Sequence, residues 1–355
     1  MANNTARLGD LATYINGYAF KPADWGDTGL PIIRIQDLTG NSYQLNRYDG
    51  EYPERIEVND GDVLISWSAS LGVYVWHRGK ALLNQHIFKV VFDKLPINKD
   101  YFVFAVEHKL AEMESKTHGA TMKHIVKKDF DGTIIPYPSI EKQAKIAEHL
   151  RRITNLIDRQ TEQLLLLDQL VKSRFIELFG DPMTNPKGFP CYTVGDVIDF
   201  QGGSQPDKKY FEYEPTPDNI RLIQIRDYKS DKYITYIPRV MAKRFCTADD
   251  IMIGRYGPPI FQILKGIKGS FNVALMKATP KMGNREFVRQ FLKQDCLLEY
   301  LEGLSKRTAG QDGIQMDKLK AYPFPYPPIE LQEQFAAFVE QTDKSKLCGK
   351  TEVAA

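Results

Sequence analysis

The chain has 355 residues, 43% of them hydrophobic and 26% charged, with a formal net charge of +2. That length accommodates two ordinary domains with real cores, and the composition is that of a globular protein, not a disordered one. No apolar run approaches the ~20 residues of a membrane-spanning helix, and a near-neutral chain binds a polyanion only if its basic residues are concentrated on one face.

The opening MANNTARLGD lacks the apolar core of a signal peptide, which implies a cytoplasmic location. Residues 1–138 read as a first β-rich domain. Within it, LGDLATYINGYAFK (8–21) gives an apolar-Gly-Asp-apolar start and a polar turn, and PIIRIQDL (31–38) reads as a buried strand closing on Asp37. GDVLIS (61–66) is a short apolar strand leaving a turn, and KALLNQHIFKV (80–90) sets Asn84 next to apolar strand residues. A helical segment from Lys99 to Met113 leads into the polar loop KTHGATMKH (116–124) and then a Pro-Tyr-Pro turn.

Residues 139–180 are predicted as one long helix. Steps of four and three from Ile146 land on Leu150, Ile153, Ile157, Gln160, Leu164, Leu167, Val171, Arg174 and Leu178. Only Gln160 and Arg174 interrupt this apolar seam, whose period of 3.5 is that of a coiled coil. Ser139 caps the start, and Gly180-Asp181-Pro182 stops the helix, giving a rod of roughly 60 Å at ~1.5 Å per residue. Residues 181–190, with three prolines and one glycine, form a linker.

The chain then repeats itself. VGDVIDFQGGSQPDK (194–208), RLIQIRDY ending at Tyr228, DDIMIG (249–254), KGSFNVALMKA (268–278) and PYPPIELQ (325–332) match the earlier segments at offsets of 186–190 residues. Asn272 stands for Asn84 and Asp227 for Asp37; a buried amide satisfying a turn and an aspartate holding a turn are the expected roles. A helical piece (Arg285 to Leu304) again precedes a polar loop, SKRTAGQDG (305–313). Residues 191–327 are therefore a second copy of the domain, and 328–347 a second helix with a tail at 348–355. Phe335 and Val339 fall where Ile146 and Leu150 fall, but Thr342 and Lys346 break the seam. This second helix is expected to be about 18 residues (~27 Å), packing antiparallel over Gln160 to Phe179 and leaving Ile146, Leu150, Ile153 and Ile157 for another subunit.

Catalytic motifs are absent: the sequence has no phosphate-binding GxxxxGK[ST], no GxGxxG after a strand, no HExxH and no GxSxG. GPPI (257–260) and YPPI (326–329) lack the Asn or Asp of an amino-methyltransferase signature. His77, His86, His118 and His124 fit no compact metal site, and Cys191, Cys246, Cys296 and Cys348 lie far apart without a CxxC pair.

The layout of domain, long helix, domain and helix resembles the specificity subunit of type I restriction–modification enzymes. PYPSIEKQAKIAEHL and TEQLLLLDQLVKSRFIELFGDPMTNPKGF in the first helix region carry the resemblance, with PYPPIELQEQFAAFV and the LGD and VGD openings. It spans essentially the whole chain. It implies an α+β fold of two similar target-recognition domains on a coiled-coil spacer. Each domain would read half of a bipartite site in double-stranded DNA. The helices would dock methyltransferase subunits, to which restriction subunits add. No catalytic residue or metal site is implied here; S-adenosylmethionine, ATP and Mg2+ would belong to the partners. The helix seam (Ile146, Leu150, Ile153, Ile157, Leu164, Leu167, Val171, Leu178, Phe335, Val339) would form subunit interfaces, with a self-dimer as one form of contact.

DNA recognition requires base-edge donors and acceptors and cations for phosphates. The candidates in the first copy are Trp67, Ser68, Arg78 and Lys80, near Trp76, then Lys116, Thr117, His118, Thr121, Lys123 and His124. In the second copy they are Arg255, Tyr256, Lys265 and Lys268, near Gln262, then Ser305, Lys306, Arg307, Thr308 and Gln311. Two other readings remain: a two-domain protein–protein scaffold without DNA binding, and a nuclease with an unrecognised site.

Overall fold

The structure is a computed structural model that describes residues 4–40, 45–68, 70–116, 127–256, 260–305 and 314–354, the side chains of 113–116, 305 and 348–354 excepted. It divides into two compact units, Met1–Ile157 and Asp158–Ala355, with the division inside the long helix Ile140–Phe179.

In the first unit, strands Thr13–Asn16, Ile87–Val91, Val63–Ser66 and Gly72–Val75 lie side by side in that order, all antiparallel. A second sheet has the order Arg47–Tyr48, Leu30–Ile33, Ala81–Leu83, Glu57–Val58, with the Leu30–Ile33 and Ala81–Leu83 pair parallel. Strand Val63–Ser66 shows why its sequence is continuously apolar. Val63 and Ile65 enter a core with Tyr14, Phe88, Phe102 and Val106, while Leu64 faces a separate core with Ile32, Ile56, Trp76 and Leu82. Period-two alternation here divides the side chains between two apolar layers, so neither face is polar. Helix Lys99–Lys116 lays Phe102, Val106 and Leu110, spaced by four, into the first core.

The second unit repeats this topology. One sheet runs Ile198–Gly202, Leu275–Pro280, Ile251–Gly254, Gln262–Lys265, and the other Tyr236–Pro238, Asn219–Ile223, Gly269–Phe271, Phe245–Cys246. Ile251 and Ile253 again face one core and Met252 the other. In each copy a lysine ties the opening turn: Lys94 Nζ donates to the Gly9 carbonyl and Lys281 Nζ to that of Gly195.

Three elements depart from expectation. The segment 31–38 is strand only through Ile33, because Asp37 Oδ2 accepts from the Arg34 N–H at 2.8 Å and folds Ile35–Leu38 into a helical turn. The helix expected over 285–304 is two, Arg285–Leu292 and Asp295–Ser305; Lys293 and Gln294 donate to carbonyls three residues back, tightening and ending the first. The C-terminal helix runs Ile329–Ala354, 26 residues instead of about 18. Its seam-breaking residues find hydrogen-bond partners, which is why they do not end it. Thr342 Oγ1 donates to the Phe338 carbonyl at 2.9 Å, and Lys346 Nζ reaches Asp168 at 2.6 Å and Asp343 at 3.2 Å.

The long helix keeps its 40 residues, but its buried stripe ends differently from the 3.5 seam. In the second unit Val171, Phe175 and Phe179 are buried; Arg174 instead pairs with Glu177 at 2.8 Å, and Leu178 is only partly covered. Spacing by four, without supercoiling, sets these aromatics on the globular core. The Phe175 ring lies 5.6 Å from Phe335 and 5.6 Å from Phe287. Leu164 and Leu167 are half-buried, while Leu165, Leu166 and Leu170 are exposed. In the first unit the buried helix residues are Gln143 and Ala147. Ile146 is half-buried, and Leu150, Ile153 and Ile157 are 36%, 53% and 45% exposed. No described helix is long and apolar enough to cross a membrane.

Candidate nucleic-acid interface

Four turns meet at one end of the strands in each unit, and backbone bonds fix them to one another. In the first, Gly17 N–H donates to Ile87 O, Tyr18 N–H to Leu83 O, Asn84 N–H to Ile33 O and Trp67 N–H to His86 O, over 2.8–3.4 Å. In the second, Gly203 N–H donates to Leu275 O, Ser204 N–H to Phe271 O, Asn272 N–H to Ile223 O and Arg255 N–H to Ala274 O, over 2.9–3.1 Å. The turns approach so closely that only glycine fits at two matched positions. A Cβ on Gly17 would lie 2.1 Å from the Asn84 carbonyl oxygen, and one on Gly203 would lie 1.9 Å from that of Asn272.

The turn after Ile33 and its copy after Ile223 have the same burial residue for residue across 31–38 and 221–228. Asp37 is 3% and Asp227 7% exposed, each accepting from the backbone three residues earlier: Arg34 N–H at 2.8 Å and Gln224 N–H at 3.4 Å. Arg221 Nε adds a bond to Asp227 at 3.4 Å. Burial nevertheless raises the Asp227 carboxyl above its ordinary range, against the backbone donor and the arginines that lower it. Both aspartates hold turns, as expected. Each presents the residue before it to solvent, Gln36 in one unit and Arg226 in the other. Arg226 lies over the Tyr233 ring at 5.9 Å and donates from Nη2 to Thr235 Oγ1 at 3.0 Å.

Of the sequence candidates, Trp67, Ser68, Arg255 and Tyr256 sit on this four-turn frame. Trp67 is half-buried and stacks on Phe88 at 5.6 Å, and Ser68 is buried. Arg255 is half-buried, with its guanidinium 5.3 Å from the ring of Tyr256, which is 48% exposed. Lys80 and Lys268 precede the strands that Asn84 and Asn272 follow, and so stand at the opposite end. Lys80 pairs with Glu57 at 2.8 Å, and its hydrogen bond holds the Glu57 carboxyl below the usual range. Lys265 is drawn to Asp343 on the C-terminal helix at 2.8 Å, and Lys268 is exposed. Trp76 is a core residue, 4% exposed. Arg78 packs 5.4 Å from its ring and reaches the Asp37 carbonyl at 3.1 Å, bracing the turn from behind. Thr117, His118, Thr121, Lys123, His124, Lys306, Arg307, Thr308 and Gln311 lie outside the described residues, as do the side chains of Lys116 and Ser305. Sequence reasoning passed over Gln36 and Arg226, although both directly precede the paired aspartates.

The helix starts also match. Gln143 Oε1 accepts from Asn98 N–H at 2.9 Å and its amide donates to Pro138 O at 2.8 Å. Gln332 accepts from Asn284 N–H and donates to Pro327 O, each at 2.8 Å.

The sequence profile described as "Type I restriction modification DNA specificity domain" matches residues 3–167 and again 186–352. The type I restriction enzyme EcoBI specificity subunit of Escherichia coli is 29% identical over 168 residues, 46% of this chain and 35% of that protein. The MjaVIII specificity subunit of Methanocaldococcus jannaschii is 24% identical over 374 residues, 95% of this chain and 85% of the relative. Among solved structures, the S subunit of a type I restriction–modification system from M. genitalium superposes with a TM-score of 0.59 at 15% identity, covering 99% of this chain and 92% of that one. A chain from work on complex assembly and conformational transition in the type I R-M system superposes at 0.53 and 17%, with the same coverage.

Proposed function

Because the chain belongs to the type I restriction–modification DNA specificity family, we propose that it is the non-catalytic, sequence-reading subunit of a type I restriction–modification complex. Each β-rich domain reads one half of a bipartite site in double-stranded DNA. The helices dock methyltransferase subunits, and restriction subunits join that assembly; S-adenosylmethionine, ATP and Mg2+ act in those partners. The observation that carries this reading is the duplicated four-turn frame, which presents non-identical polar side chains from backbones joined by matching hydrogen bonds. A reader of two different half-sites needs that combination, since phosphate contacts position the protein and base-edge contacts specify the sequence.

The test is a domain exchange. Replacing residues 1–138 by the same region of a relative should change one half of the recognised site and leave the other intact, measured by selecting random duplexes with the methyltransferase complex. A change in both halves, or in neither, contradicts the assignment. A protein–protein scaffold would bind no duplex even with methyltransferase present, and a nuclease would cleave DNA alone in the presence of a divalent metal.

A further inference from the structure

We propose that residues 36 and 226 are the matched specificity-determining positions of the two domains, Gln36 selecting adenine in one half-site and Arg226 guanine in the other. The inference rests on the DNA-reading function proposed above and adds which residues read and which bases they prefer. In both domains this residue is the exposed member of a turn, between a half-buried isoleucine and a buried aspartate, and the pattern repeats across eight aligned residues. The turn is locked from beneath by a buried aspartate, Asp37 or Asp227, and tied to its neighbour through Asn84 or Asn272. A side chain on such a platform is held to a small set of directions, which base reading requires.

The chemistry then separates the two positions. A glutamine amide offers a donor and an acceptor that match adenine N7 and N6 in the major groove, whereas a guanidinium offers paired donors that match guanine O6 and N7. Thr235 Oγ1 takes one Nη2 hydrogen of Arg226 and the Tyr233 ring lies beneath the group, so the guanidinium is oriented while the residue stays exposed. Gln36 Oε1 accepts from the Arg34 guanidinium at 2.9 Å, which orients its amide, and three other polar side chains of the frame are engaged within it. Arg255 Nη1 donates to Val273 O at 3.4 Å, Gln205 Nε2 to Pro206 O at 3.2 Å, and the Gln85 amide meets the His86 ring at 3.3 Å.

The experiment is sequencing of random duplexes selected by the full chain with its methyltransferase subunits, for wild type, Arg226→Gln, Arg226→Lys and Gln36→Arg. Arg226→Gln should lower the guanine preference at one position of one half-site by roughly tenfold, in favour of adenine, with the other half unchanged. Gln36→Arg should do the reverse in the other half. Arg226→Lys should keep overall affinity but relax that guanine, because a point charge lacks the paired donors. Thermal melting of each variant should match wild type. If the variants bind normally and select the wild-type motif, the assignment is overturned while the DNA-reading function stands. If wild type itself selects no motif, both fall.

Discussion

Phe335 and Ile146 hold the same place in the two repeats, 189 residues apart, yet Phe335 is fully buried and Ile146 only half-buried. The next seam position repeats the contrast, with Val339 2% and Leu150 36% exposed. In the second unit the rings of Phe175 and Phe179 lie 5.6 and 5.3 Å from Phe335 and close that face. In the first unit Leu150, Ile153 and Leu156 are exposed at 36%, 53% and 62%. Moving each from water into an interface contributes up to about 1.5–3 kcal/mol, and the proposed function assigns methyltransferase docking to this face. Changing Leu150 and Ile153 together to Glu should abolish the methyltransferase complex while circular dichroism and melting stay those of wild type. Light scattering should show the chain alone as a monomer. A dimer lost in the double mutant would mean that a second copy covers the face, and assembly like wild type would remove the face from any interface.

The paired glutamines make a local prediction. Gln332→Leu removes the partners of the Asn284 N–H and the Pro327 carbonyl, where Gln332 is fully buried. Leaving both groups unsatisfied should cost about 2–4 kcal/mol, a fall in melting temperature on the order of 5–15 °C. Hydrogen exchange should place the lost protection in 158–355, and Gln143→Leu should place it in 1–157. Loss spread evenly over both units would contradict the local role.

Much of this architecture was legible because the repeat compares the chain with itself: a residue type that recurs, such as Asp37 and Asp227, marks a backbone requirement. The end of the helix seam was not legible, because a strict 3.5 period extrapolates to Arg174 and Leu178 where packing on a globular core selects Phe175 and Phe179. The C-terminal helix was read short because Thr342 and Lys346 look like interruptions until their partners, Phe338 O and Asp168, are known. At the interface, basic residues such as Lys80 and Lys265 drew attention by charge alone, but their carboxylate partners Glu57 and Asp343 are distant in sequence. Gln36 and Arg226 escaped because they are different residue types, and their equivalence is one of position and exposure.

The polar loops before each Pro-Tyr-Pro turn both carry cations, Lys116 and Lys123 in the first and Lys306 and Arg307 in the second. If these hold phosphates, Lys306→Ala or Arg307→Ala should weaken binding of the assembled complex on every duplex alike. Each should flatten the slope of log K against log salt by roughly 0.9. Unchanged affinity and slope in both variants would remove the second loop from the DNA. A loss confined to one sequence would make the residue a base reader instead.

The glycines at the crossing of the turns provide the sharpest link between packing and recognition. Gly203 has no room for a Cβ, which would come within 1.9 Å of the Asn272 carbonyl oxygen, and the obstacle is backbone, not a side chain that can rotate away. Gly203→Ala must therefore push apart the turns joined by the Ser204–Phe271 and Asn272–Ile223 bonds. Overpacking of this kind costs about 1–3 kcal/mol. The consequence for binding should be selective: the half-site read by the second domain loses discrimination while the first keeps its own, and Gly17→Ala does the converse through Asn84. Melting and random-duplex selection on the same preparations separate the two effects. A Gly203→Ala protein as stable as wild type and with an unaltered motif would show that the four turns are not a rigid frame and that Arg226 is not positioned by one.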